Sequence, residues 1–106
     1  MALTRDFKDT VKARVERDPA FREALLKEGV DYLLSGDVQT GKAVLRDYVK
    51  ATIGFEALAT FTRKSPKSLM RMLSPSGNPR ADNLFEIIGC LQKNEGVHFE
   101  VRSIHR

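Results

Sequence analysis

Apolar residues recur at helical spacing along the first third of the chain. One stripe predicts a helix from Asp6 to Arg17, because its members stand four residues apart, at Phe7, Val11 and Val15. Asp18 followed by proline is typical of a helix start. A second helix is therefore predicted from Pro19 to about Leu34. Its apolar residues cover a wide face, which indicates contacts on two sides.

Turn-forming residues divide the rest of the chain into shorter helices. Ser35-Gly36-Asp37 predicts a stop and a restart, and Ser65-Pro66 predicts a second restart. The dense turn formers of Ser74–Pro79 predict a loop. The helices expected between these signals run from Val38 to about Thr52, from Phe55 to Thr62, from Ser65 to about Leu73, and from Asp82 or Asn83 onward.

The end of the chain follows a different pattern. Val97, Phe99 and Val101 alternate with polar residues, which predicts a β-strand. A lone strand leaves its backbone groups unpaired, so we expect it to pair with a strand of another chain or with another edge. The predicted fold class is mainly α with this short C-terminal β-strand. The predicted organisation is a single domain over 1–106, with N-terminal helices in 1–36, a helical core in 37–94 and the strand in 96–103.

Composition narrows the class of protein. The chain has 106 residues, a net charge of +4 and 42% hydrophobic residues, which is typical of one globular domain. No apolar run approaches the roughly 20 residues that span a bilayer, and no signal peptide is predicted, so we expect a cytoplasmic protein with no membrane partner. The single cysteine, Cys90, excludes an internal disulfide and a multi-thiolate zinc site. We expect no metal, no cofactor and no enzymatic activity.

Positive charge is concentrated in one stretch of the sequence. Residues 57–81 contain no acidic residue but hold five basic residues, namely Arg63, Lys64, Lys67, Arg71 and Arg80. Such a concentration can attract a polyanion. A solvated helix face rich in basic residues would give the same pattern, so charge alone does not assign a nucleic-acid partner.

The two helices inside this basic stretch suggest how it could bind DNA. Short helices over 55–62 and 65–73, joined by a tight turn, have the layout of a helix-turn-helix. The exposed face of the second helix is predicted to carry Lys67, Ser68 and Arg71, which are residue types that contact base edges and phosphates. Lys64 and Ser65 lie at its N-terminus, where anions are favoured. Many helical hairpins that do not bind DNA share this spacing.

Two segments resemble known regulators. Leu58–Leu69 resembles the Cro/repressor-type helix-turn-helix. Leu73–Arg80, with its Ser-Pro-Ser-Gly-Asn-Pro loop, and the apolar helix after it resemble the addiction-module antidote (antitoxin) proteins. The match covers about Val38 to Val101. The resemblance implies a lambda-repressor-like helix-turn-helix bundle, a homodimer on double-stranded operator DNA, autoregulation of transcription, and a cognate toxin as a further partner.

The resemblance also implies roles for individual residues. Its reading helix spans Ser65 to Leu73, with Lys67, Ser68 and Arg71 at base-reading positions. Lys64, Asn78 and Arg80 would contact phosphates or position the helix. The chain departs from the family pattern at three positions. Arg63 stands where a turn glycine is usual, Lys64 replaces an aliphatic residue, and Phe55 replaces a glutamine that often touches phosphate.

The leading hypothesis is a sequence-specific, DNA-binding transcriptional regulator that is antitoxin-like and autoregulatory. The alternative is a protein-binding antidote module whose main role is to neutralise a cognate toxin, suggested by the wide apolar face of the helix over 19–34. Three other features are interpreted as packing. Met70 and Met72 are expected to pack rather than bind a partner, and Cys90 is expected to be a small, partly buried hydrophobic residue.

Overall fold

The computed structural model describes residues 12–105, and all regular structure within that range is helical. Residues 12–17 are the described part of α1; the predicted positions Phe7 and Val11 lie outside the described residues. The other helices are α2 (Pro19–Leu34), α3 (Val38–Ala51), α4 (Gly54–Thr62), α5 (Pro66–Met72) and α6 (Ala81–Glu95). The predicted helices from Pro19 onward are therefore confirmed to within one or two residues at each end.

Aspartate side chains cap the starts of two helices. The Asp18 carboxylate accepts a hydrogen bond from the backbone N–H of Phe21 at 3.1 Å. The Asp37 carboxylate caps α3 in the same way, through the N–H of Thr40 at 3.2 Å. Each cap satisfies a backbone donor that the first turn of a helix leaves without a partner. These local bonds explain why short sequence signals located the helix boundaries.

One hydrophobic core joins α2 to α6. Each of these helices contributes a fully buried leucine or isoleucine, and the residues are Leu26, Leu45, Leu58, Leu69 and Ile87. Cys90 of α6 is partly buried against this core, as predicted. Burial raises the pKa of its thiol, which disfavours the reactive thiolate.

A buried polar cluster ties the N-terminal helices to α6. The guanidinium of Arg22 donates from Nε to both carboxylate oxygens of Glu95, at 2.9 and 2.7 Å. Tyr48 is fully buried, and its hydroxyl donates to the same carboxylate. Burial, reinforced by the hydrogen bond to Glu95, raises the pKa of Tyr48. The cluster fixes α2 and α3 against the C-terminal end of α6.

The predicted C-terminal strand is wrong. Residues 97–105 contain no strand, and the described part of the chain offers them no ladder partner. Phe99 instead packs against the core, and its backbone N–H donates to Gln92 Oε1 at 2.8 Å. Val101 is 81% exposed. An extended segment lying on a helix also alternates between inward and outward side chains, which explains the misleading pattern.

Candidate nucleic-acid interface

The turn between α4 and α5 adopts the backbone conformation that its sequence makes costly. Arg63 ends α4 with φ 59° and ψ 33°, in the left-handed region. Among the described residues it is the one non-glycine residue with a positive φ. The conformation costs a residue with a Cβ roughly 1 kcal/mol or more. The structure thus supports the prediction that Arg63 occupies a position suited to glycine.

α5 presents a mixed polar face to solvent. Lys67 and Arg71 are exposed and stand one helical turn apart, so they lie on the same side. Leu69 is buried, and Met72 packs against the core as predicted. Met70 does not follow that prediction, because it is 46% exposed. The exposed face therefore combines two cations with one flexible apolar side chain.

Four of the seven predicted site residues line one groove. The groove has a volume of about 380 Å³ and lies between α5, the loop over 74–80 and the start of α6. The predicted residues that it brings together are Ser68, Arg71, Asn78 and Arg80. Asn83 of α6 also lines it, a residue that the sequence interpretation named only as a possible start of this helix. Asparagine and arginine are side chains that can read base edges or hold phosphates.

The other three predicted site residues lie outside the lining of this groove. Ser65 is the N-cap of α5, where its hydroxyl accepts from the N–H of Ser68 at 3.0 Å. The ammonium of Lys64 lies 3.5 Å from a carboxylate oxygen of Glu86 on α6. Lys67 is exposed on α5.

Phe55 has a structural role. It is only 7% exposed and belongs to the hydrophobic core. Its ring therefore packs the start of α4 and is not available to a phosphate.

The loop after α5 is held by close backbone packing. A Cβ added to Gly77 would lie 1.9 Å from the carbonyl oxygen of Arg71, so only glycine fits there. The Ser74 hydroxyl donates to the same carbonyl oxygen at 2.7 Å. The loop is thus fastened to the last turn of α5. This contact sets Asn78 and Arg80 beside Arg71.

Two basic residues of α3 hold the loop and the residue before it through hydrogen bonds to backbone carbonyls. Lys42 is 2% exposed, and its Nζ donates to the carbonyl oxygen of Gly77 at 2.6 Å. Arg46 donates from its guanidinium to the carbonyl oxygen of Leu73 at 3.1 Å. Both are positioning residues that the sequence interpretation missed. A signal was present, because Lys42 stands three residues before Leu45 and seven before Val49, on the buried stripe of α3.

The basic residues differ in how strongly carboxylates neutralise them. Arg80 lies 3.4 Å from Asp82, but both side chains are more than half exposed, so the attraction is weak. Within residues 12–105, neither Lys67 nor Arg71 has a carboxylate at ion-pair distance. The strongest positive potential on this side of the molecule is therefore expected around the exposed face of α5.

Comparison with protein-family models, with curated proteins and with solved structures gave no match to this chain. Two further features can be stated for the described residues. None of their helices is long and apolar enough to cross a bilayer. No three of their histidine, cysteine, aspartate or glutamate side chains come together as a metal site would require.

Proposed function

We propose that the protein is a sequence-specific, DNA-binding transcriptional regulator built on a lambda-repressor-like helix-turn-helix, with α4 and α5 as its two helices. The groove that gathers Ser68, Arg71, Asn78 and Arg80 carries the proposal. Ser68 and Arg71 belong to α5, whereas Asn78 and Arg80 belong to the loop that follows it, yet all four share one surface in a stretch without acidic residues. Antitoxin-like autoregulation remains part of this proposal.

The proposed contacts divide by chemistry. Lys67, Ser68 and Arg71 on α5 would reach base edges, since a short helix with exposed arginine and lysine suits the major groove. Asn78 and Arg80 in the loop would hold phosphates and set the position of α5. Lys64 and Ser65 would act near the start of α5, although each already has a partner within the chain. The loop contacts would position the protein, and the helix contacts would give sequence specificity.

The test is a titration of the full-length protein against DNA taken from upstream of its own gene, followed by fluorescence anisotropy at two salt concentrations. Arg71→Ala is expected to weaken specific binding by about 1–3 kcal/mol, if Arg71 reads a guanine. If Lys67 contacts a phosphate instead, Lys67→Ala is expected to reduce the salt dependence of DNA affinity by about one released counterion.

Lys50→Ala provides the matched control. Lys50 is an exposed basic residue in the last turn of α3, and it borders a different depression, beside Arg22 and Glu95. Its loss removes one positive charge without touching the groove, so specific binding should change little. A wild-type protein that binds no DNA at low salt, or an Arg71→Ala variant with unchanged affinity, would contradict the proposal.

The alternative proposal is an antidote module that neutralises a cognate toxin. The apolar face that suggested it is largely used inside the chain, because Leu25, Val30 and Leu33 of α2 pack against the core. Leu34 and Val38, at the junction of α2 and α3, are 59% and 45% exposed and remain available to a partner. Co-purification with the product of the adjacent gene tests this alternative, and loss of the complex in Leu34→Glu would locate it.

A further inference from the structure

Met70 is an apolar side chain on an otherwise polar face of α5. It is 46% exposed, whereas Leu69 is fully buried and Met72 packs against the core. The hydrophobic core thus uses two of the three leucine and methionine side chains of this helix. Met70 is left on the outer face, beside the residues proposed to contact DNA.

Helical geometry places Met70 at one edge of that face. At about 100° per residue, the outer side chains fall within an arc of about 160°, in the order Met70, Lys67, Arg71 and Ser68. Ser68 and Arg71 line the groove beside the loop over 74–80. The outer face of α5 therefore has a polar edge toward the loop and an apolar edge, formed by Met70, on the far side.

The charges around Met70 indicate what kind of ligand could cover it. Residues 57–81 contain no acidic side chain, and within 12–105 neither Lys67 nor Arg71 has a carboxylate at ion-pair distance. A ligand that meets Met70 must therefore also neutralise two cations. DNA offers both chemistries, because phosphates flank the major groove and the C5-methyl group of thymine is the apolar feature inside it.

We propose that Met70 is a specificity-determining residue that contacts the C5-methyl group of a thymine, in the base pair next to the one that Arg71 reads. This contact rests on the proposed function and adds a base preference to it. Met70 and Arg71 lie about 1.5 Å apart along the helix axis and about 100° apart around it, so their side chains diverge. The flexible thioether chain of methionine can adapt to the position of a methyl group.

Deletion of single thymine methyl groups tests this contact. The probe is DNA from upstream of the protein's own gene, footprinted to locate the bound segment and then made as duplexes in which one thymine at a time is replaced by deoxyuridine. Uracil keeps the hydrogen-bonding groups of thymine and lacks only the methyl group. Wild-type, full-length protein is expected to bind about fourfold more weakly when the contacted thymine is replaced, which is the effect of one buried carbon group.

Substitutions at Met70 assign the effect to this side chain. Met70→Ala should bind the thymine duplex at least about fourfold more weakly than wild type, with no further loss on the uracil duplex, because the contact is already absent. Met70→Leu, which stays apolar, should keep part of the discrimination, and Met70→Gln should lose it. Leu34→Ala is the control, since it shortens another exposed apolar side chain and should keep the full difference between thymine and uracil.

The outcomes distinguish this contact from the proposed function. Specific binding that Arg71→Ala weakens, but that no uracil replacement affects, overturns the thymine contact and leaves the proposed function standing. A uracil effect of equal size in wild type and Met70→Ala also overturns the contact, since another side chain must then sense the methyl group. A wild-type protein without specific DNA binding at low salt overturns both.

Discussion

The two ends of the molecule use their charged residues differently. Where α2, α3 and the end of α6 meet, Arg22 and Tyr48 converge on the carboxylate of Glu95, whose side chain is 5% exposed. Around α5, Lys67 and Arg71 extend into solvent. Arg22, Tyr48 and Glu95 bond to one another and so stabilise the fold. Lys67 and Arg71 contribute little to stability and are available for binding.

This difference separates charged residues that hold the fold together from charged residues that stay exposed, which the net charge alone does not do. Counting residues placed the positive excess in 57–81, but Lys42 and Arg46 lie outside that stretch and still serve its loop. Burial decides the role in each case. A buried ammonium such as that of Lys42 needs a hydrogen-bond acceptor within the fold, whereas an exposed arginine can use an acceptor on a ligand.

The largest expected effect follows from removing the carboxylate at the structural end. Glu95→Ala leaves the partly buried Arg22 and the buried Tyr48 hydroxyl without their acceptor, and we expect the free energy of unfolding to fall by about 3 kcal/mol. Urea denaturation measures this loss. Glu23→Ala, at an exposed site, should change stability by less than about 0.5 kcal/mol. DNA affinity of the folded Glu95→Ala protein should stay near that of wild type, and a large loss of affinity would show that the two ends are coupled.

Gly77→Ala should affect both properties. The added methyl group would overlap the carbonyl of Arg71, so the loop must move away from α5. We expect a loss of about 2 kcal/mol in unfolding free energy, typical of overpacking, together with weaker DNA binding because Asn78 and Arg80 move with the loop. Asn78→Ala is the matched comparison, since it should weaken binding with little effect on stability. Normal DNA affinity in Gly77→Ala would mean that the groove plays no part in binding.

The helices could be predicted from sequence because their boundaries depend on local chemistry. Asp18 and Asp37 each cap the helix that follows within three residues, and Ser65 does the same for α5. The strained turn was expected from the resemblance, which sets Arg63 where a turn glycine is usual, and the structure gives Arg63 a φ of 59°. Such features require no knowledge of distant contacts.

The candidate site was only partly predictable because it depends on long-range packing. Lys42 bonds to Gly77, 35 positions away, and no pattern near either residue specifies that pair. The alternation at Val97 and Phe99 was informative about exposure but not about hydrogen bonding. Whether an extended segment becomes a strand is decided by a partner edge, which local sequence does not contain.

A smaller effect is expected at the tyrosine of the structural cluster. Tyr48→Phe removes one hydrogen bond but keeps the ring, so the loss near neutral pH should be about 1 kcal/mol. Because the folded state raises the pKa of Tyr48, the unfolded chain releases that proton first as pH rises above about 10. Wild-type stability should therefore fall with increasing pH in that range, and Tyr48→Phe should fall less steeply. If the urea midpoints of the two proteins fall equally steeply with pH across this range, Tyr48 is not the source of this pH dependence.

The smallest expected effect lies at the turn between α4 and α5. Arg63→Gly relieves the left-handed strain, worth roughly 1 kcal/mol or more, but glycine also gives the unfolded chain more freedom, which offsets part of the gain. We expect a net increase in stability of about 0.5 kcal/mol. Arg63→Ala keeps the strain and removes the same charge, so the two variants should lose the same DNA affinity while differing in thermal midpoint. If Arg63→Gly binds DNA much more weakly than Arg63→Ala, the strained turn itself positions α5, and the two ends are less independent than their charges indicate.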